Sequence, residues 1–496
     1  MSSSPPDALS AVLARGRLGT FAVVFFVIAA AAPLTVVAGG ATTGYAVTRV
    51  VGIPVSYLVV AAVLALFSVG YVAMSRRIIN AGAFYTYVTR GLGKPAGVAT
   101  AMIAVLGYNA MQIGLYGGFG AVLAAYLDDR GWHTTWWLCA LAGWAVVSVL
   151  GVLRIDLNGV VLAVMLVAEV VIALVYDVVM VSHPAGGTVT FDTLAPSHIL
   201  AAGIGAALVT AITGFVGFEG TTVFAEETKD PKRTVPRATY IAVAITGLLY
   251  GGSAWAMSVA TGPDKIVDAA STDGTDLIFN LVSSHLAQSI ITAGRILFIT
   301  SLFAALLSFH HTVARYLFAL GRERVLPAVL GQTSRRTGAP KWGSITQSTL
   351  ALAVIFGYAY VDADPIVHLF FWVTVTGGLG VLILMTVTSA AVVAFFARTR
   401  NTDGPWRTLL APTLATTALG TILTVTISQF DTLLGVEPAS PLRWLFPAAY
   451  GVAALIGLVW ALVLRSSRPD VYQVIGLGAD AATAAQHVSD PVHQPA

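Results

Sequence analysis

Residues 207–227 read ALVTAITGFVGFEGTTVFAEE. Gly214, Gly217 and Gly220 recur every three positions in an otherwise apolar run, and Glu219 stands among them. Glycine weakens a helix and bares its backbone. A second run of this kind, residues 29–44, reads AAAAPLTVVAGGATTG, with Pro33 followed by Gly39 and Gly40. Proline removes a backbone donor and clashes with the preceding turn. Both stretches are expected to be helices that break.

The rest of the chain places these breaks in a membrane. Its 496 residues are 57% apolar and 10% charged, whereas soluble proteins carry about 25% charged residues. Mean hydropathy is +0.82. A surface this poor in charge belongs in lipid, so the chain reads as an all-α integral membrane protein. Disorder, collagen, coiled coil and a disulfide scaffold are excluded. The lone Cys139 permits no internal disulfide and no cysteine-based metal cluster. A net charge of +3 offers no footprint for nucleic acid. The polar start does not read as a cleavable signal.

Twelve apolar stretches are long enough to cross a bilayer: 21–48, 54–78, 96–127, 134–153, 158–182, 198–225, 237–261, 287–319, 342–361, 365–396, 408–428 and 443–465. A bilayer core of about 30 Å needs about 20 helical residues. The runs are continuously apolar rather than alternating, which excludes a β-barrel. With both termini cytoplasmic, 21 of the 27 lysines and arginines fall on inner segments and four on outer loops. That is a strong positive-inside pattern. Asp264, Asp268, Asp273 and Asp276 make the outer loop between spans seven and eight acidic. No loop is long enough for a soluble domain. The expected layout is a cytoplasmic segment 1–20, a membrane domain 21–465, and a disordered cytoplasmic tail 466–496. Abundant alanine and an excess of arginine over lysine point to a bacterial source, hence a bacterial plasma membrane.

Spans one and six are five apart. They hold matching positions in two five-helix halves, about 21–182 and 198–396, with two extra helices at 408–465. An odd number of spans per half makes the halves opposite in topology. Paired interrupted helices mark a transporter's binding site. Half-helix N-termini offer partial positive charge and free N–H groups to a carboxylate. Freed carbonyls suit an ammonium or a small cation, so a zwitterion is the natural ligand. The same glycines also fit a packing seam between ordinary membrane helices.

Span six and its inner loop, GFVGFEGTTVFAEETKDPKRTVPRA (214–238), resemble the signature of the amino acid–polyamine–organocation superfamily. INAGAFYTYVTRGLGKPAG (79–97) is similar to that family's loop after helix 2, and ARYLFALGRERVLP (314–327) to its end of helix 8. The resemblance runs from about 20 to 465 and is weakest in the last two helices. It implies a LeuT-like fold: a five-plus-five inverted repeat with discontinuous helices 1 and 6, and twelve transmembrane helices in all. It implies substrate contacts at Thr213, Gly214, Phe215, Val216 and Gly217 in helix 6. In helix 1 it implies Ala31, Pro33, Leu34, Thr35 and Val36, although AAPLT replaces the usual Gly-Ser-Gly. In helix 3 it nominates Asn109 and Gln112 from YNAMQ, and in helix 8 an aromatic lid at Phe309. Phe215 is expected to be a substrate-gating ring.

Two carboxylates lie inside spans. An intramembrane carboxylate is costly and points to function. Glu219, one turn beyond the helix 6 break, is expected to carry a proton or to brace helix 1. Glu169 lies mid-span in AVMLVAEVVIALV. It is expected to take a proton, to hold Na⁺ with Ser301 or Ser308, or to pack as a neutral acid. His310 and His311 read as packing residues rather than pH sensors. Glu226, Glu227, Lys229, Asp230, Lys232, Arg233 and Arg237 form a mixed-sign inner loop for ion pairing or solvation.

No HExxH, GxSxG, Walker A or CxxC motif is present. An enzyme and a primary pump are therefore disfavoured, and neither cofactor nor metal site is expected. The reading is secondary active transport of an amino acid by alternating access, as proton symport. Amino acid/polyamine exchange or Na⁺ coupling are the alternatives, and a channel ranks lower. The expected partners are an amino acid substrate, a proton or Na⁺, and lipid. Oligomeric state is not legible.

Overall fold

A computed structural model describes residues 19–78, 82–153, 155–223, 228–334, 337–399 and 403–478. The chain is all-helical across these residues, and each of the twelve apolar stretches is helical where described. Helices win because lipid leaves every backbone N–H and C=O to find a partner within its own segment.

The first stretch forms α1 (Thr20–Ala31), a π-helical turn (Thr35–Ala41) and α2 (Thr42–Thr48). Then come α3 (Ile53–Ser75), the amphipathic α4 (Ala83–Leu92), α5 (Lys94–Asp128), α6 (Trp136–Gly151) and α7 (Ile155–Ser182). The second half opens with α8 (Ile204–Phe215) and the one-turn α9 (Gly220–Val223), the two pieces of span six. It continues with α10 (Pro231–Thr261), the short loop helices α11 (Ile266–Asp273) and α12 (Leu277–Ser283), α13 (Gln288–Arg322), α14 (Lys341–Tyr360) and α15 (Trp372–Arg398). The remaining helices are α16 (Ala411–Ser428), α17 (Phe430–Leu434), α18 (Leu442–Ser467) and α19 (Pro469–Val474).

Among the described residues, nine helices are long and apolar enough to cross a membrane. The other three expected spans depart for local reasons. The first is divided by its break, α6 is only 16 residues long, and α14 starts with the polar run KWGSITQST. The halves match in more than their breaks. The third span of each, α5 and α13, is a 35-residue helix, and the two pack against each other.

Burial shows which spans are central. In the apolar window of the sixth span 94% of residues are buried, against 22% in α18. The extra helices therefore present most of their surface to lipid. At the centre, α5 crosses α15 where Gly107 meets Gly377. A Cβ on Gly377 would sit 2.8 Å from the Gly107 carbonyl oxygen, so only glycine permits this approach. In the acidic loop between spans seven and eight, Asp268 pairs with Arg49 at 3.0 Å and Asp276 with Arg295 at 2.8 Å.

The expected disorder from residue 466 does not hold as far as residue 478. α18 runs to Ser467, and α19 follows it with Val471, Val474 and Ile475 buried. The Gly476 and Gly478 amides each donate to Glu323 at 2.7 Å, and Tyr85 donates to the same carboxylate. Lys94 Nζ donates to the Gln473 carbonyl at 2.8 Å. Sparse apolar residues and a buried carboxylate suffice to seat this strap, although its composition is polar. Residues 479–496 lie outside the described residues, as do Glu226 and Glu227 of the inner loop. Arg233 and Asp230 of that loop form an exposed pair at 3.8 Å, a type worth little.

Candidate substrate site between two broken helices

α1 stops at Ala31 because Ala32 takes a positive φ of 41° and Pro33 has no N–H. The amides that follow find partners on other spans. Thr35 N–H donates to Ser301 Oγ at 3.2 Å, and Thr35 Oγ1 contacts the same oxygen at 3.2 Å. The Ser301 hydroxyl and the Leu34 amide both face the Glu169 carboxylate. Glu169 is buried, and its Oε2 has no partner among the described residues. The Ala31 carbonyl, freed at the end of α1, accepts from Tyr250 OH at 2.7 Å. Spans one, five, seven and eight thus meet at the first break.

The second break follows Phe215. Val216 turns extended, with ψ 129°, and Gly217 takes a φ of +116° that favours glycine. Gly217 N–H donates to Glu219 Oε2 at 3.0 Å. Tyr108 OH, from α5, donates to Glu219 Oε1. The Glu219 carbonyl accepts from Tyr71 OH of α3 at 3.3 Å. Glu219 is 1% exposed. Each break thus carries its own carboxylate cap.

This corrects one expectation. The peptide ends at the breaks are not bare. Val216, Phe218 and Gly220 donate to the carbonyls of Thr213, Phe215 and Gly217, and Val36 donates to Ala32. With Leu34, Thr35 and Gly217 taken by Glu169, Ser301 and Glu219, no amide at these positions is left for a ligand.

Between the breaks lies a small, partly open and mostly apolar cavity, walled by both broken helices. Of the expected substrate residues, Ala31, Thr35, Val36, Thr213, Gly214, Val216 and Phe309 line it. Pro33, Leu34 and Gly217 shape the breaks without lining the cavity. Phe215 does not line it either: its ring packs on Tyr250 at 5.7 Å and Tyr57 at 6.3 Å between centroids. The expected gating ring lies outside the cavity lining, because α8 is still helical at Phe215 and turns it toward α3 and α10.

The α5 face was misplaced by one residue, about 100° around the helix. Met111 and Leu115 line the cavity. Gln112 instead accepts from Gln347 Nε2 at 2.6 Å, and Asn109 Nδ2 donates to its own helix at Val105. Both serve packing. Ser301 joins the Glu169 group, whereas the Ser308 hydroxyl is buried without a partner. His310 contacts Ser344 at 2.7 Å, away from the cavity. Sequence reasoning missed Tyr57, Phe370, Phe371 and Thr374, which line the cavity from α3 and from span ten. The Phe370–Phe371 pair at the head of span ten was the available signal.

Among the described residues no charged side chain lines the cavity; its polar side chains are Thr35, Tyr57, Thr210, Thr213 and Thr374. Glu169 and Glu219 stand behind its wall, against the backbone of the breaks. Among the described residues no group of three or more His, Cys, Asp or Glu could hold a metal ion.

Comparison with known proteins agrees with this architecture. Residues 18–456 match the family model described as amino acid permease. The chain is 23% identical to the low-affinity putrescine importer PlaP of Escherichia coli K12, over 95% of this chain and 99% of that protein. It is 26% identical to the cationic amino acid transporter 7, chloroplastic, of Arabidopsis thaliana, over 51% of this chain and 39% of that protein. A match to the same plant's vacuolar cationic amino acid transporter 4 is 30% identical over 31% of this chain and 25% of that protein. A twelve-stretch helical layout, two capped breaks and a matching family model over nearly the whole length lead to one assignment: the chain is a multi-pass membrane transporter, not an enzyme, and belongs to the amino acid permease family of the amino acid–polyamine–organocation superfamily.

Proposed function

We propose that this permease carries a neutral or hydrophobic amino acid across a bacterial plasma membrane by alternating access, driven by protons. Both termini face the cytoplasm in this reading, in keeping with the arginine-rich inner segments. The observation that carries it is an uncharged cavity lying between two breaks whose amides are held by buried carboxylates. A zwitterion brings no net charge into such a cavity, so only its two end groups need partners.

The caps give protons a route to the helices. An ionised carboxylate accepts strongly from a backbone N–H. Protonation removes that charge and weakens the bond to Gly217 or Leu34. The half-helices on either side are then freer to swing. Proton occupancy and the angle at each break become one variable, as coupling requires.

A second reading places Na⁺ in span five at Glu169, whose Oε2, without a partner among the described residues, lies in the Ser301 group. An amine substrate, as in the name of the Escherichia coli relative, fits less well, because no carboxylate lines the cavity. Uptake of labelled amino acids into proteoliposomes under separate proton and sodium gradients tests the proposal. Uptake driven by the proton gradient alone supports it. Uptake that follows sodium, or a steady conductance in place of saturable uptake, overturns it.

A further inference from the structure

We propose that the Tyr57 hydroxyl is the donor that holds the substrate's carboxylate, and so selects acids over the corresponding amines. This rests on the amino acid reading of the cavity given above. Tyr57 projects from α3, and its ring lies in the cavity wall. The side chain is fully buried, and its hydroxyl has no hydrogen-bond partner among the described residues. A buried hydroxyl left without a partner costs about 1–3 kcal/mol, a cost that a bound ligand would remove.

Its position is specific. A Cβ built on Gly214 would lie 3.5 Å from this hydroxyl, and one on Gly40 would lie 3.9 Å away. The hydroxyl therefore looks out between the two broken helices. The bareness of both glycines keeps the space in front of it open.

Elimination strengthens the assignment. The amides of both breaks are occupied by Glu169, Ser301, Glu219 or backbone carbonyls. The other hydroxyls of the cavity also have engaged protons. Thr210, Thr213 and Thr374 donate to the carbonyls of Ala206, Val209 and Phe370, and Thr35 donates to Ser301. Among the described residues of the lining, Tyr57 is the remaining side-chain donor. The threonine oxygens keep lone pairs, which suit an ammonium. Carboxylate at Tyr57 and ammonium at the threonines then accounts for both ends of a zwitterion.

The test is Tyr57→Phe, which keeps the ring and its packing on Phe215 and Tyr250. Binding to the purified full chain is measured with acid–amine pairs that differ only in the carboxylate: alanine with ethylamine, leucine with isoamylamine, ornithine with putrescine. Tyr57→Phe is expected to weaken the acid that binds wild type by about 10-fold or more, as loss of one hydrogen bond to a charged group requires. Amine binding should stay unchanged. Unchanged acid affinity overturns the assignment alone, and so does equal weakening of acid and amine. A wild-type protein that binds amines but none of the acids overturns both this assignment and the amino acid reading. Tyr45→Phe, at a hydroxyl already bonded to the Ala254 carbonyl, controls for loss of a buried tyrosine hydroxyl and should not discriminate between acid and amine.

Discussion

Tyr108 donates its hydroxyl to Glu219, and through that carboxylate span three is tied to the break in span six. The same carboxylate holds the Gly217 amide. Span three and the break in span six thus share one carboxylate.

Glu219→Gln tests that link. It fixes the side chain in a neutral state. Proton-driven uptake is expected to fall at least about 10-fold, the effect of losing one charge-assisted bond, while the purified protein still binds its amino acid. Full-rate uptake with an unchanged pH profile would sink the proton role.

Ser301→Ala addresses the first break. It strips the acceptor from the Thr35 amide inside the membrane. A lost partner of this kind costs about 1–3 kcal/mol, so the melting temperature should drop. Glu169→Gln is expected to melt nearer to wild type and to lose gradient-driven uptake. If both variants lose stability equally and keep uptake, Glu169 is a packing residue.

Two phenylalanines separate the wall from its backing. Phe309→Ala enlarges the cavity and should shift preference toward bulkier side chains. Phe215→Ala lies behind the wall. It should destabilise the fold by about 3–5 kcal/mol with selectivity retained. Competition assays across amino acids of graded size read the difference, and a selectivity change in Phe215→Ala alone contradicts the geometry.

Glu323 gives a pH-dependent case at the membrane's edge. Burial pushes its carboxyl above the usual range, opposed by donors from Tyr85, Gly476 and Gly478. A raised folded value means the folded chain holds this proton more tightly than the unfolded chain does. Its stabilising contribution is present at low pH and is lost as pH rises through that raised value. Melting of wild type should therefore decline more steeply than melting of Glu323→Gln as pH rises from the usual carboxylate range through that raised value. Parallel slopes would refute the assignment.

Much of this was legible in the sequence because lipid imposes few solutions. Pro33 and the Gly214–Gly220 series located both breaks, and Glu219 marked the second one. What stayed hidden was rotation about helix axes. Asn109 and Gln112 drew attention as polar residues, but their bonds run to Val105 and Gln347, and the apolar Met111 faces the cavity. Polarity in a membrane helix shows that a partner exists and does not say which. Tyr57 was overlooked for the opposite reason: span two has no break, and only the packed structure shows that its hydroxyl lacks a mate.

The strap from Pro469 to Gly478 bears on biosynthesis. Tyr85, Lys94 and Glu323 are made long before Gln473, Gly476 and Gly478 emerge from the ribosome, yet these complete their bonding. A nascent permease cut short before that point would leave Glu323 buried with the Tyr85 hydroxyl but without the two amides that complete its shell.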